Sequence, residues 1–201
     1  MRVLIACEYS GIVREAFKAK GHDAWSCDLL PTEIPGQHIQ DDVLKHLNDG
    51  WDMMIAHPPC TYLAVSGNRW MHDDRYPLRH ILRADAIKFF MKITNADIPE
   101  ICIENPICIM SSIYRKPDQY IQPYEFGHPE TKKTSIWLKN LLLLKPSNIV
   151  IPEWIIGKKD GKRYSPTHYM TAKSHGKDIN RQKERSRTYQ GIADAMASQW
   201  G

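Results

Sequence analysis

The chain has 201 residues, 42% of them hydrophobic and 25% charged, with 6 Trp, 9 Tyr and 4 Phe. That is enough apolar material for one well-buried core, and it excludes a disordered tail or a coiled coil. The net charge of +4 hides an asymmetry: residues 158–187 carry ten Lys/Arg against three Asp/Glu, while residues 1–157 carry 17 against 19.

No apolar stretch approaches the roughly 20 residues a bilayer demands, and Glu8 arrives before a signal-peptide core can develop. No membrane association and a cytoplasmic location are therefore expected. The five cysteines form no CxxC pair and the nine histidines show no ligand spacing. Neither a disulfide framework nor a metal site is expected.

Residues 2–7 form a β-branched apolar run that predicts an opening strand, and Glu8-Tyr9-Ser10-Gly11 predicts a turn. From 12 to 20 the apolar positions recur at helical spacing, and Gly21 stands where a helix takes a left-handed terminal residue. Residues 24–27 supply a second strand ending on Asp28. A short helix is expected at 43–47, and 51–56 is a further apolar run stopped by His57-Pro58-Pro59-Cys60. Residues 78–95 place Leu78, Ile81, Leu82, Ala86, Phe89, Phe90 and Ile93 on one helical face. Strands follow at 101–103, 135–138 and, weakly, 149–151, with a closing helix at 190–200.

Strands alternating with helices at this spacing predict an α/β fold: a mostly parallel sheet covered by helices on both faces, in one domain. In such sheets the chemistry gathers at the carboxyl ends of the strands. Glu8 to Gly11, Asp28, His57 to Cys60, and Glu104-Asn105-Pro106 all fall there.

Cys60 is the outstanding candidate, because a rigid Pro-Pro-Cys loop at a strand end suits a nucleophile that must meet a flat electrophile at a set angle. Glu104 ends an apolar strand, where a carboxylate is costly unless paired or raised in pKa, and an acid there could give a proton to a ring nitrogen. Asp28 lies at the spacing from which an acid holds ribose hydroxyls. Amino-group methyltransferases place Asp or Asn before Pro-Pro and an aromatic ring after it. Here His57 and Cys60 occupy those places, so the amine acceptor and stacking ring are replaced by a nucleophile.

Together these residues resemble the DNA cytosine-C5 methyltransferases. Tyr9-Ser10-Gly11-Ile12 resembles the family's cofactor loop, Asp28 its ribose-binding acid, Asp42-Val43 the acid that reads the adenine amine, His57-Pro58-Pro59-Cys60 its nucleophile motif, and Glu104-Asn105 its Glu-Asn pair. The resemblance implies a Rossmann-like S-adenosylmethionine-dependent methyltransferase fold, with Pro59 and Gln190 also lining the cofactor. It further implies Cys60 as nucleophile, Glu104 as the acid, and Pro58, Asn105, Lys132, Lys133, Arg185 and Arg187 on the substrate side. The target base would be flipped out of duplex DNA.

Three features depart from the family. Val13 stands where a second glycine is usual, and Glu130-Thr131-Lys132-Lys133-Thr134 stands in place of Gln-x-Arg-x-Arg. Only a basic insertion at about 152–187 occupies the place of the target-recognition domain, as in the short forms carried by bacteriophages. Its Lys and Arg residues, interleaved with Tyr164, His168 and Tyr169, suit phosphate contact and base stacking with low sequence specificity. Two other readings remain open on the sequence: C5 modification of a free pyrimidine nucleotide, and a catalytically silent nucleic-acid-binding protein.

Overall fold

The computed structural model describes residues 1–158, 160–172 and 185–201. Its centre is a seven-stranded sheet of β1 (Arg2–Ala6), β2 (Asp23–Asp28), β3 (His38–Gln40), β4 (Met53–Ala56), β5 (Glu100–Pro106), β6 (Gln119–Ile121) and β7 (Thr134–Lys139), in the order β3-β2-β1-β4-β5-β7-β6. The first five strands run parallel, and β7 is antiparallel to both β5 and β6. A two-residue hairpin, β8 (Ile155–Ile156) with β9 (Arg163–Tyr164), lies outside the sheet. Among the described residues the α-helices are α1 (Ile12–Ala19), α2 (Arg79–Thr94), α3 (Met110–Ile113), α4 (Pro166–Ala172) and α5 (Gln190–Gln199).

Alternation along the strands divides the core in two. Val3, Ile5, Met53, Ile55 and Cys102 meet Val13, Ala16 and Phe17 of α1 and Ile192, Ala193 and Met196 of α5. Leu4, Ala6, Met54, Ala56, Ile101 and Ile103 meet Phe90 and Ile93 of α2 on the other face, where Phe90 also packs edge-on against Trp137 at 5.3 Å between ring centroids. Burial on both faces is why β1, β4 and β5 are continuous apolar runs. This is the Rossmann-like, mostly parallel α/β sheet with helices on both faces that the sequence implies.

The opening β1-α1-β2 unit is held by two buried charges. Gly11, at φ 79°, turns the chain into α1, and the Glu8 carboxylate accepts from the Val13 and Arg14 amides at 2.7 and 3.3 Å. Arg14 is fully buried; its guanidinium donates to Ser26 Oγ, Thr32 Oγ1 and the Ile34 carbonyl, tying down the β2–β3 loop. A Cβ on Gly11 or Gly36 would stand 2.8 Å from Arg14 Nη2, so both glycines leave room for that guanidinium.

Three sequence expectations are corrected. The helix expected at 78–95 forms, but Leu78, Ile81 and Leu82 are exposed, at 61%, 60% and 39%. The buried residues of α2, Phe90 and Ile93, lie in its C-terminal half, while its first turns are tied to the loop after β4 by Arg79 and Arg83, which donate to the Thr61 and Tyr62 carbonyls at 3.3 and 2.9 Å. The strand expected at 149–151 does not form: Ile149 and Ile151 are exposed, and the chain there makes only a single bridge, Asn148 with Phe126. The short helix expected at 43–47 is a 3-10 turn over Val43–Lys45. Strands β3 and β6 and the β8-β9 hairpin were not expected.

Candidate active site

Because β1, β2, β4 and β5 are parallel, their carboxyl ends form one edge, and the polar segments noted in the sequence meet along it. The edge has two halves.

On the β1–β3 half, Ser10 Oγ donates to Glu8 at 3.1 Å and accepts from the Ile12 amide at 3.3 Å. Val13 points away, fully buried among the α1 core residues, so its bulk does not enter the crevice. Burial raises the Asp28 carboxyl above its usual range despite backbone donors at Leu30 and Leu29 and the nearby His38. Its carboxylate accepts from the Leu30 amide at 2.9 Å and, as a group that can accept several hydrogen bonds, suits a pair of ribose hydroxyls. Asp42 accepts from the Leu44 amide at 3.0 Å and opens the 3-10 turn that buries Val43. The donor set on this half therefore fits a nucleoside-bearing cofactor.

On the β4–β5 half, the Asn105 amide donates to the Pro58 carbonyl at 2.7 Å, from a position 1% exposed. Asn105 thus holds the Pro-Pro-Cys loop against β5. His57 Nδ1 lies 2.7 Å from Glu104 Oε2, with both side chains largely buried. Burial works against the charge on each, but their mutual attraction wins: Glu104 is held below the ordinary carboxylate range and His57 above the ordinary histidine value. Cys60 is exposed, yet the protein crowded around the thiol pushes its pKa up; Lys132 and Arg185 pull it down and Glu104 adds to the rise.

Residues 185–191 join the two halves. Arg187 pairs with Glu33 at 2.9 Å, the Ser186 hydroxyl meets the Tyr9 hydroxyl at 3.0 Å, and the Arg185 carbonyl accepts from Lys132 Nζ at 3.0 Å. The Gly191 amide donates to His128 Nε2 at 2.9 Å, and any side chain there would overlap the Phe126 carbonyl oxygen.

The structure therefore gathers Tyr9, Ser10, Gly11, Ile12, Asp28, Asp42 and Val43 on one half of the edge and Pro58, Pro59, Cys60, Glu104, Asn105 and Lys132 on the other. Arg187 is engaged with Glu33 on the β1–β3 half, Lys133 lies over the Tyr120 ring at 4.3 Å, and Gln190 bonds Asp194 within α5. Of the basic insertion, Lys159, Lys173, Lys177, Arg181 and Lys183 lie outside the described residues. Sequence reasoning missed the partnership of His57 with Glu104 and that of Lys132 with residue 185. Among the described residues no group of three His, Cys, Asp or Glu is placed to hold a metal ion, and no helix is long and apolar enough to cross a membrane.

No protein-family model matches the chain, and no curated protein matches it. Among solved structures it is similar to an Escherichia coli protein described as a "putative DNA modification methyltransferase encoded within prophage", with 17% identity and a TM-score of 0.49 over 75% of this chain and 52% of that one. The chain thus spans about half the length of that protein. The functional argument rests on the site.

Proposed function

We propose that this protein transfers a methyl group from S-adenosylmethionine to carbon 5 of cytosine in DNA, with Cys60 as the nucleophile and Glu104 as the acid. The observation that carries the reading is the attachment of the Cys60 loop to the Glu104 strand through Asn105 and the Pro58 carbonyl, which holds a thiol and a buried acid at adjacent strand ends.

Carbon 5 of cytosine is a poor nucleophile. As the Cys60 sulfur bonds to carbon 6, the C5=C6 pair moves to C4=C5, the C4=N3 pair moves onto nitrogen 3, and nitrogen 3 takes a proton from the Glu104 carboxyl. The positive charges of Lys132 and Arg185 favour the thiolate this step requires. Bound against residues 9–12, Asp28, Asp42 and Val43, the cofactor supplies the electrophilic methyl group. Loss of the carbon 5 proton, expulsion of the Cys60 sulfur and return of the nitrogen 3 proton then restore the ring. The ring must leave the base stack to reach the crevice, and Lys132, Lys133 and Arg185 offer phosphate contacts that position without reading sequence.

The test is to incubate the pure protein with labelled S-adenosylmethionine and either duplex DNA or dCMP, then to analyse nucleosides by mass spectrometry. 5-Methylcytosine in DNA is expected. A methyl group gained by dCMP alone, or by neither substrate, overturns the proposal.

A further inference from the structure

The site contains one ionisable group that the proposed chemistry does not use. His57 precedes the Pro-Pro-Cys loop, its Nδ1 is 2.7 Å from Glu104 Oε2, and its Nε2 is buried with no hydrogen-bond partner among the described residues. A ring nitrogen and a carboxyl oxygen at that separation share a proton, whichever atom formally holds it. From these contacts we infer that His57 is a positioning residue that keeps a proton in place for Glu104, so that the acid at the end of β5 is a His57–Glu104 couple. The inference rests on the reading above and adds a residue to it.

The surroundings agree. Burial alone favours the protonated acid, but the contact with His57 lowers Glu104 and raises His57, which favours a carboxylate facing an imidazolium. Glu8 adds to the attraction for the His57 charge and Lys132 opposes it. Glu104 then has no proton of its own to give, and the His57 Nδ1 proton is the one within reach. As the sulfur–C6 bond forms, that one proton passes from Nδ1 by way of the Glu104 carboxylate to nitrogen 3; the N–H bonding pair stays on the imidazole. When the ring is restored the proton returns, and the couple is unchanged over the cycle. His57 touches no reacting atom, so its effect should be on the pH dependence of the chemical step.

The first test needs no activity. In 15N-histidine-labelled protein, the His57 signals, assigned by their loss in His57→Asn, should remain those of an imidazolium at pH values where an ordinary histidine has lost its proton. Glu104→Gln should lower the His57 midpoint by about one pH unit or more. The second test is the pH profile of kcat/KM on DNA. His57→Asn can still donate to Glu104 but cannot carry the extra proton, so the alkaline limb should move to lower pH while KM for DNA holds. A His57 midpoint that Glu104→Gln leaves in place, or a pH profile that His57→Asn leaves unshifted, overturns the inference. Should His57→Asn fail to fold, the Glu104→Gln titration, with signals assigned from the other histidines, decides alone. Coupled titration without methylation would sink the proposed function and leave the couple standing; methylation without coupling would do the reverse.

Discussion

Glu8 and Glu104 are the same residue type at the ends of two parallel strands of one sheet, and both are withdrawn from solvent. Glu8 is satisfied by the Val13 and Arg14 amides and the Ser10 hydroxyl, donors that cannot change charge near neutral pH. Glu104 is satisfied by the Thr188 hydroxyl and, unlike Glu8, by a histidine that can. The contrast separates a carboxylate committed to structure from one kept available for proton transfer. What sets the role of a buried acid is whether its partner titrates.

Substitutions can break that comparison, beginning with the thiol the second acid serves. Cys60→Ser should abolish methylation and the covalent adduct with a 5-fluorocytosine oligonucleotide, read by denaturing gel; an adduct that survives would remove Cys60 from the mechanism. Glu104→Gln should lower kcat on the order of 10²–10⁴-fold with the protein still folded. Glu8→Gln should show the opposite balance, costing about 1–3 kcal/mol in denaturant unfolding because a backbone amide of α1 loses its acceptor. Arg187→Ala should cost at most about 1 kcal/mol, since its pair with Glu33 is partly exposed.

The pH dependence of stability sharpens the contrast. Glu104 is depressed in the fold, so its contribution is present above the unfolded value of 4.5 and is lost as pH falls through the lower folded value. His57 is raised, so its contribution is present below 6.5 and is lost as pH rises through the higher folded value. The couple therefore stabilises most between those two unfolded values, and Glu104→Gln should flatten both flanks of a plot of melting temperature against pH.

Much of this edge was legible in the sequence because β1, β2, β4 and β5 are apolar runs stopped by polar residues. Strands β3 and β6 were not: each has three residues, and His38-Ile39-Gln40 carries one apolar side chain at the margin of the sheet. The exposed start of α2 was hidden for a different reason, since periodicity gives the face of a helix and not which of its turns are buried. His57 was missed because its partner is 47 residues away. Once β4 is known to lie parallel to β5 with Ala56 opposite Ile103, the next pair in register is His57 with Glu104, and the one after is Pro58 with Asn105. The residues could be read along the chain, but their pairing required the strand order.

The two core faces also differ in when they can be completed during synthesis. Among the described residues, the face covered by α2 has its buried strand and helix residues once Trp137 has been made. The face covered by α1 waits for Ile192 to Trp200, although α1 itself leaves the ribosome early. At about 5–20 residues per second, Val13, Ala16 and Phe17 go without the α5 half of their packing for roughly ten seconds or more. A nascent chain should therefore gain protease resistance around α2 first, and around α1 only when α5 has docked.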